Sequence, residues 1–170
     1  MQTEMGELHP LVLPWTVIGS DNIEHRTSFH SAIDKVNGWF DEEMFVGEID
    51  QDRFDELEAM SESARIGTII VYEGPISSSS WDDGLDFDDA GGIAELTWDD
   101  SGGIVFVNIV INVDYAYNAD TVEDVLLHEF GHGLGLGHDE DSLDLNSCMS
   151  SPPPFDCEYT QHDINEVIFP

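Results

Sequence analysis

A chain of 170 residues fits one globular domain, and a hydrophobic content of 41% is too high for a disordered acidic tail. Four Lys plus Arg against 37 Asp plus Glu leave a formal net charge of −33, spread along the whole length rather than gathered in a block. So acidic a surface repels nucleic acid and anionic lipid, and no apolar run approaches the roughly 18 residues that span a bilayer.

Residues 1–10 carry Glu4 and Glu7 and no basic cluster ahead of an apolar stretch, so no secretory leader is expected there; the protein reads as soluble, and as extracellular only if a leader has been trimmed. Residues 11–18, interrupted by Pro14, predict a strand at or near a sheet edge. Phe29, Ala32, Ile33, Val36 and Phe40 recur at helical spacing behind caps at Thr27 and Ser28, which predicts an amphipathic helix over about 25–40. The acid-dense residues 41–65 fit either a surface helix or a strand with a turn, and residues 69–72 read as a buried strand. From 74 to 92, Pro75, four serines at 77–80 and the acids of 82–89 predict a long surface loop. Residues 93–98 and 104–113 are strand-like and joined by 99–103, a connection suited to a hairpin. Asp120 with Glu123 has capping-box spacing ahead of Val122, Val125, Leu126, Leu127 and Phe130, so a central, nearly all-apolar helix should be buried. Thr160 and Asp163 repeat that spacing before a last helix over about 161–169, stopped near Pro170.

Residues 128–139 read His-Glu-Phe-Gly-His-Gly-Leu-Gly-Leu-Gly-His-Asp. On a helix the i, i+4 spacing sets His128 and His132 on one face, where they can share one ion. A catalytic zinc takes three protein ligands and leaves the fourth position to water. Gly133 and Gly135 can end the helix in a left-handed turn that returns His138 to the same ion as the third ligand. Glu129, beside His128, is placed to take the water's proton and later deliver it to a leaving amine. His25 and His30 carry no such pattern, and the chain has no Gly-x-Ser-x-Gly elbow, no phosphate-cradling loop and no Cys-x-x-Cys. Cys148 and Cys157 fit either a disulfide in an oxidising compartment or two free thiols.

His128, Glu129, His132, Gly135 and His138 form a His-Glu-x-x-His-x-x-Gly-x-x-His pattern that resembles the zinc motif of metzincin peptidases, most closely the matrixins, the matrix metalloproteinase-like catalytic domains. Gly91-Gly92-Ile93-Ala94 is similar to the start of the matrixin edge strand. Met149 stands where a Met-turn passes beneath the metal, and Gln161-His162-Asp163-Ile164 resembles the opening of the last matrixin helix. The likeness covers residues 81–170; the first half fits only by its order of helix and strand. Asp139, Cys148-Met149 and Phe155-Asp156-Cys157 look instead like the adamalysin branch.

What the resemblance implies is a single α+β metzincin or zincin-like domain over 1–170: a twisted, mostly parallel sheet with an antiparallel edge strand, and three helices of which the second carries the motif. It implies a zinc endopeptidase, with one catalytic zinc on His128, His132 and His138 and with Glu129 as the catalytic base. A polypeptide substrate would lie antiparallel to the 93–98 strand, touching Ile93, Ala94 and Leu96. Pro152 and Phe155 would wall the adjoining pocket, the plainer reading being a proline-rich turn. Met149, Gly135, Cys148 and Cys157 take structural roles, Met149 as a packing floor rather than a ligand. Histidines for a second, structural zinc are missing from 82–96, so that ion is not carried over; calcium is the other cofactor considered, with Asp88 at the position of a calcium ligand or simply solvated. Ser151 stands where an astacin-like tyrosine ligand would be. The expected state is a monomer acting on polypeptide. The rivals are a non-catalytic zinc-binding or scaffolding module of the same fold, against which Glu129 argues, and an amidase-like hydrolase of small amides.

The acidic composition, with one Lys in the chain, resembles that of halophilic archaeal proteins; an ordinary acidic domain that uses some carboxylates for calcium is the alternative. Molar salt shortens the screening length to about 3 Å and removes the self-repulsion that a charge of −33 imposes in dilute buffer. Thermal unfolding is therefore expected at a clearly higher temperature in molar potassium chloride than in dilute buffer, and identical melting curves would refute the salt adaptation.

Overall fold

A strand buried on both faces needs layers on both sides of its sheet, and the longest apolar run in the sequence forms the most enclosed long strand. The computed structural model describes residues 7–8, 14–40, 42–76, 90–112, 118–138 and 146–167. Its elements are β1 (Glu7–Leu8), β2 (Trp15–Gly19), α1 (Arg26–Phe40), β3 (Phe45–Ile49), α2 (Gln51–Ala59), β4 (Thr68–Gly74), β5 (Gly92–Trp98), β6 (Gly103–Asn112), α3 (Ala119–Gly133) and α4 (Gln161–Glu166), with a 3-10 turn at Glu62–Ala64. Strands β3, β2, β4 and β6 lie side by side and parallel, β1 pairs in parallel with the start of β6, and β5 runs antiparallel along β6. The expected α+β class with a mostly parallel sheet and an antiparallel edge strand is thus present.

Each parallel step needs a crossover, and α1 and α2 supply the first two. They fall on opposite faces. Ile33, Val36 and Phe29 of α1 join Val17, Ile69, Val107 and Ile109 in the main core, which also takes in Leu126, Leu127 and Phe130 of α3. Phe54 and Leu57 of α2 cover Ile18, Ile70 and Phe106 on the other face. Period-two alternation sorts the strands between them: Ile69 and Val71 face the main core, while Ile70 faces α2.

Several expectations are corrected. The 11–18 strand is near an edge rather than at it: β2, which starts at Trp15, lies between the outer strand β3 and β4. Pro14 precedes the strand, and the first ladder donors are Trp15 N to Met44 O and Thr16 N to Gly67 O, so the proline's missing N–H removes no sheet bond. Residues 41–65 hold both alternatives, β3 and then α2 capped by Asp50, whose carboxylate accepts from Arg53 N. The described residues therefore contain four α-helices rather than three, and the third carries the His-Glu motif. Helix α1 starts at Arg26, ahead of the expected caps, and Ser28 Oγ instead donates to Ala119 O at 2.8 Å, tying α1 to the start of α3. Helix α3 is capped by Asn118, whose side chain accepts from Thr121 N, so Asp120 sits in the first turn and Glu123 pairs with Lys35. No helix among the described residues is long and apolar enough to cross a membrane.

Other expectations hold. The 99–103 connection is a hairpin turn in which Asp99 Oδ1 accepts from the Ser101 and Gly103 amides and Gly102 takes a left-handed φ of 86°. Thr160 and Asp163 close a capping box on α4, which ends at Glu166; residues 168–170 lie outside the described residues, as do 77–89 of the predicted loop. Cys148 and Cys157 are joined as a disulfide, with Cα atoms 4.9 Å apart. Chain entropy assigns a loop of this length about 2–3 kcal/mol. Replacing both cysteines by serine is expected to lower unfolding free energy by about that amount in denaturant titrations; a variant as stable as the parent would contradict it.

Candidate metal centre

Helix α3 sets the site because its residues are fixed by burial before any ligand arrives. His128 and His132, one turn apart, are 7% and 8% exposed, and Glu129 between them is 4% exposed. The helix then stops in two hydrogen bonds: Gly135 N donates to His132 O and Leu136 N to Gly131 O, each at 2.9 Å. Gly135 adopts the left-handed φ of 89° that this ending requires, so it holds the turn assigned to it. Gly133 remains helical. The reversal brings His138 back towards the helix.

The three rings converge. His128 Nε2 lies 3.1 Å from His132 Nε2 and 3.2 Å from His138 Nε2. Carbonyl oxygens can only accept, and Cys148 O is 2.6 Å from His128 Nδ1 while Leu136 O is 2.8 Å from His132 Nδ1. Both Nδ1 atoms must therefore carry the proton, which leaves the two facing Nε2 atoms as bare lone pairs. Bare lone pairs at such a separation repel unless a cation lies between them. Nitrogens held tetrahedrally around one ion at 2.0–2.1 Å lie roughly 3.3–3.4 Å apart, close to the distances found. The histidine trio fits a metal ion, and no other such group of His, Cys, Asp and Glu occurs among the described residues.

Electrostatics favour the ligand form. Burial drives the His128 pKa down to about 4 and that of His132 down to about 3, with His128 and His138 adding to the push on His132. The same desolvation drives the metal-free Glu129 carboxyl up to about 8, opposed by a hydrogen bond from the Ala94 backbone. Close packing brings that strand in: a Cβ on Gly92 would stand 2.8 Å from Val125 Cγ1 and 2.9 Å from Glu129 Oε1. Beneath the helix, a Cβ on Gly131 would overlap Met149 Sδ, so the expected packing role of Met149 is realised against the helix bearing the histidines.

A cleft of about 620 Å³ opens over the rings, lined on one side by 90–94, on the other by Ser151, Pro152 and Pro153, and floored by the histidines, Glu129 and Val125. Of the residues predicted to touch a substrate, Ile93, Ala94 and Pro152 line it. Leu96 does not, and packs on the main core instead. Phe155 is 70% exposed and borders a separate hollow with Asp120, Glu123, Asp124 and Asp156. The loop turns away after Pro153, which is why 152 and 155 part company. Asp88 and Asp139 lie outside the described residues. No protein-family model matches this chain, and no curated protein does so either.

Sequence reasoning missed the groups that orient the ligands. Main-chain oxygens carry no residue signature, so Cys148 O and Leu136 O were invisible. Asp124 was not: an acid inside an apolar helical run, one turn before His128, is 4% exposed and accepts from the Asp156 and Cys157 amides. Tyr159, buried beside the site, donates from its hydroxyl to Leu127 O at 2.6 Å.

The histidine shifts set the sign of the acid response. A lowered folded pKa leaves the unfolded chain binding more protons between pH 6.5 and about 3–4, so the histidines' contribution to stability is full above 6.5 and falls through that window. At the two buried nitrogens protons should compete only towards its lower end. Metal content followed by dialysis and elemental analysis is therefore expected to stay near full at pH 6.5 and to fall towards pH 4; release complete above pH 6 would contradict the buried, neutral imidazoles.

Proposed function

We propose that this protein is a zinc-dependent endopeptidase of the metzincin kind, with His128, His132 and His138 holding the ion and Glu129 serving as general base. The observation that carries the reading is the pair of bare Nε2 lone pairs aimed at one point, with a buried carboxyl on the intervening residue. When bound, zinc supplies the Lewis acidity that makes water a nucleophile near neutral pH and polarises the scissile carbonyl. Three nitrogen donors suit that ion.

Each remaining step falls to the chain itself. Glu129 takes the proton of the attacking water as its oxygen bonds to the carbonyl carbon, then hands it to the nitrogen as the C–N bond breaks. Burial raises its metal-free pKa to about 8, and a cation beside it would draw that value down and favour the ionised, proton-accepting form. Strand β5 pairs with β6 along one edge and borders the cleft at 92–94, which favours an extended polypeptide that adds its own main chain there. Ser151, Pro152 and Pro153 form the opposite wall. Such main-chain recognition suits a polypeptide better than a small amide.

Glu129→Gln keeps the shape and removes the base. It is expected to bind zinc as the parent does and to cleave an unfolded protein substrate about 10²–10⁴-fold more slowly. A folded, zinc-loaded variant that cleaves at the parent's rate would refute the mechanism, and a zinc-loaded parent that cleaves no polypeptide would favour the non-catalytic module.

A further inference from the structure

The segment from Cys148 to Cys157 supplies the cleft wall and the carbonyl that fixes His128, yet it contains neither helix nor strand of the sheet. Its ends are held by residues on one face of α3. Four residues, about one turn, separate Asp124 from His128, so both side chains point to the same side of the helix. At one end of the segment Cys148 O accepts from His128 Nδ1. At the other, Asp124 Oδ2 accepts from Asp156 N at 3.0 Å and Asp124 Oδ1 from Cys157 N at 3.1 Å.

This second attachment is chemically specific. Asp156 has a left-handed φ of 55°, a conformation that Asp tolerates better than most residues, and it turns two successive amides towards one anion. Each carboxylate oxygen takes one amide, so both must be acceptors. An amide side chain would set an NH2 group against one of the two donors. Asp124 is only 4% exposed, and the Cys148–Cys157 disulfide links the two attachment points covalently.

We propose that Asp124 is a positioning residue for the site: through the 148–157 segment it fixes both the Cys148 carbonyl that orients His128 and the Ser151–Pro153 wall of the cleft. The inference rests on the peptidase reading for its substrate arm, while its metal arm stands on the histidine geometry alone. Partners of metal-bound histidines commonly weigh 10- to 100-fold in metal affinity or activity.

Asp124→Asn tests it. Folded variant at high salt is expected to bind zinc about tenfold more weakly in chelator competition and to show KM for an extended peptide raised about tenfold, beyond any fall in kcat. Unchanged zinc affinity and KM would overturn the proposal. So would a lower kcat with both of these intact, because a purely structural residue only reduces the fraction of folded enzyme. Should Asp124→Asn fail to fold, Asp124→Glu keeps two acceptor oxygens on a longer stem and takes its place, with the same weakening expected and parent-like constants counting against the idea. A parent that binds zinc without cleaving peptides refutes the peptidase reading but leaves the zinc-affinity comparison in force.

Discussion

Two imidazole nitrogens without protons, held 3.1 Å apart in a buried place, form an arrangement that cannot be stable on its own. Everything around them works to keep it. The carbonyls of Cys148 and Leu136 hold the protons on the far ring nitrogens, and desolvation keeps the near ones from acquiring any. Leu136 can reach His132 only because Gly135 turns the chain back, and Cys148 can reach His128 only because Gly131 lets Met149 lie against the helix. The glycines of the motif are therefore parts of the coordination geometry, although none of them would touch an ion.

Rigidity comes from how α3 is mounted. It packs on the main core with α1, is tied to α1 through Ser28, and approaches β5 closely at Gly92. The cleft thus lies between a sheet edge and a disulfide-closed loop, with the helix as its floor. The buried helix carries His128, Glu129 and His132, and the loop that carries the Ser151–Pro153 wall also supplies the Cys148 carbonyl that orients His128, so wall and histidines are coupled through one segment.

The residues at fixed spacing were the legible part. His128, His132 and Glu129 could be placed relative to one another because helical geometry converts sequence distance directly into direction, and Gly135, whose backbone angle few residues other than glycine accept, gave the turn that returns His138 to them. The strand at 93–98 and its hairpin were readable from alternation and turn residues. Lateral order was legible only in part: Pro14 pointed to a place at or near an edge, and β2 does lie one strand in from β3, but which neighbours it takes depends on which way the crossovers run. Helix α2 hid in an acid-rich stretch, because the two residues that it buries, Phe54 and Leu57, are too few to declare a period. The loop after Met149 has no period at all, so Phe155 could not be separated from Pro152 before its path was known.

Burial of unlike groups in one site also sets its pH behaviour. The metal-free histidines, lowered towards 3–4, cost stability as pH falls below 6.5, because the unfolded chain gains protons that the folded one refuses. Glu129, raised to about 8, acts in the opposite sense: its contribution is full below the ordinary carboxylate range and is lost as pH rises through that value. Without a cation the fold is squeezed from both sides, and near neutrality the larger strain falls on Glu129, since the imidazoles are already neutral. A cation at the three nitrogens relieves both, by occupying the lone pairs and by stabilising the ionised carboxylate beside them. Occupancy of the site and the readiness of Glu129 to accept a proton are therefore one linked equilibrium, set by the burial of residues 128–132.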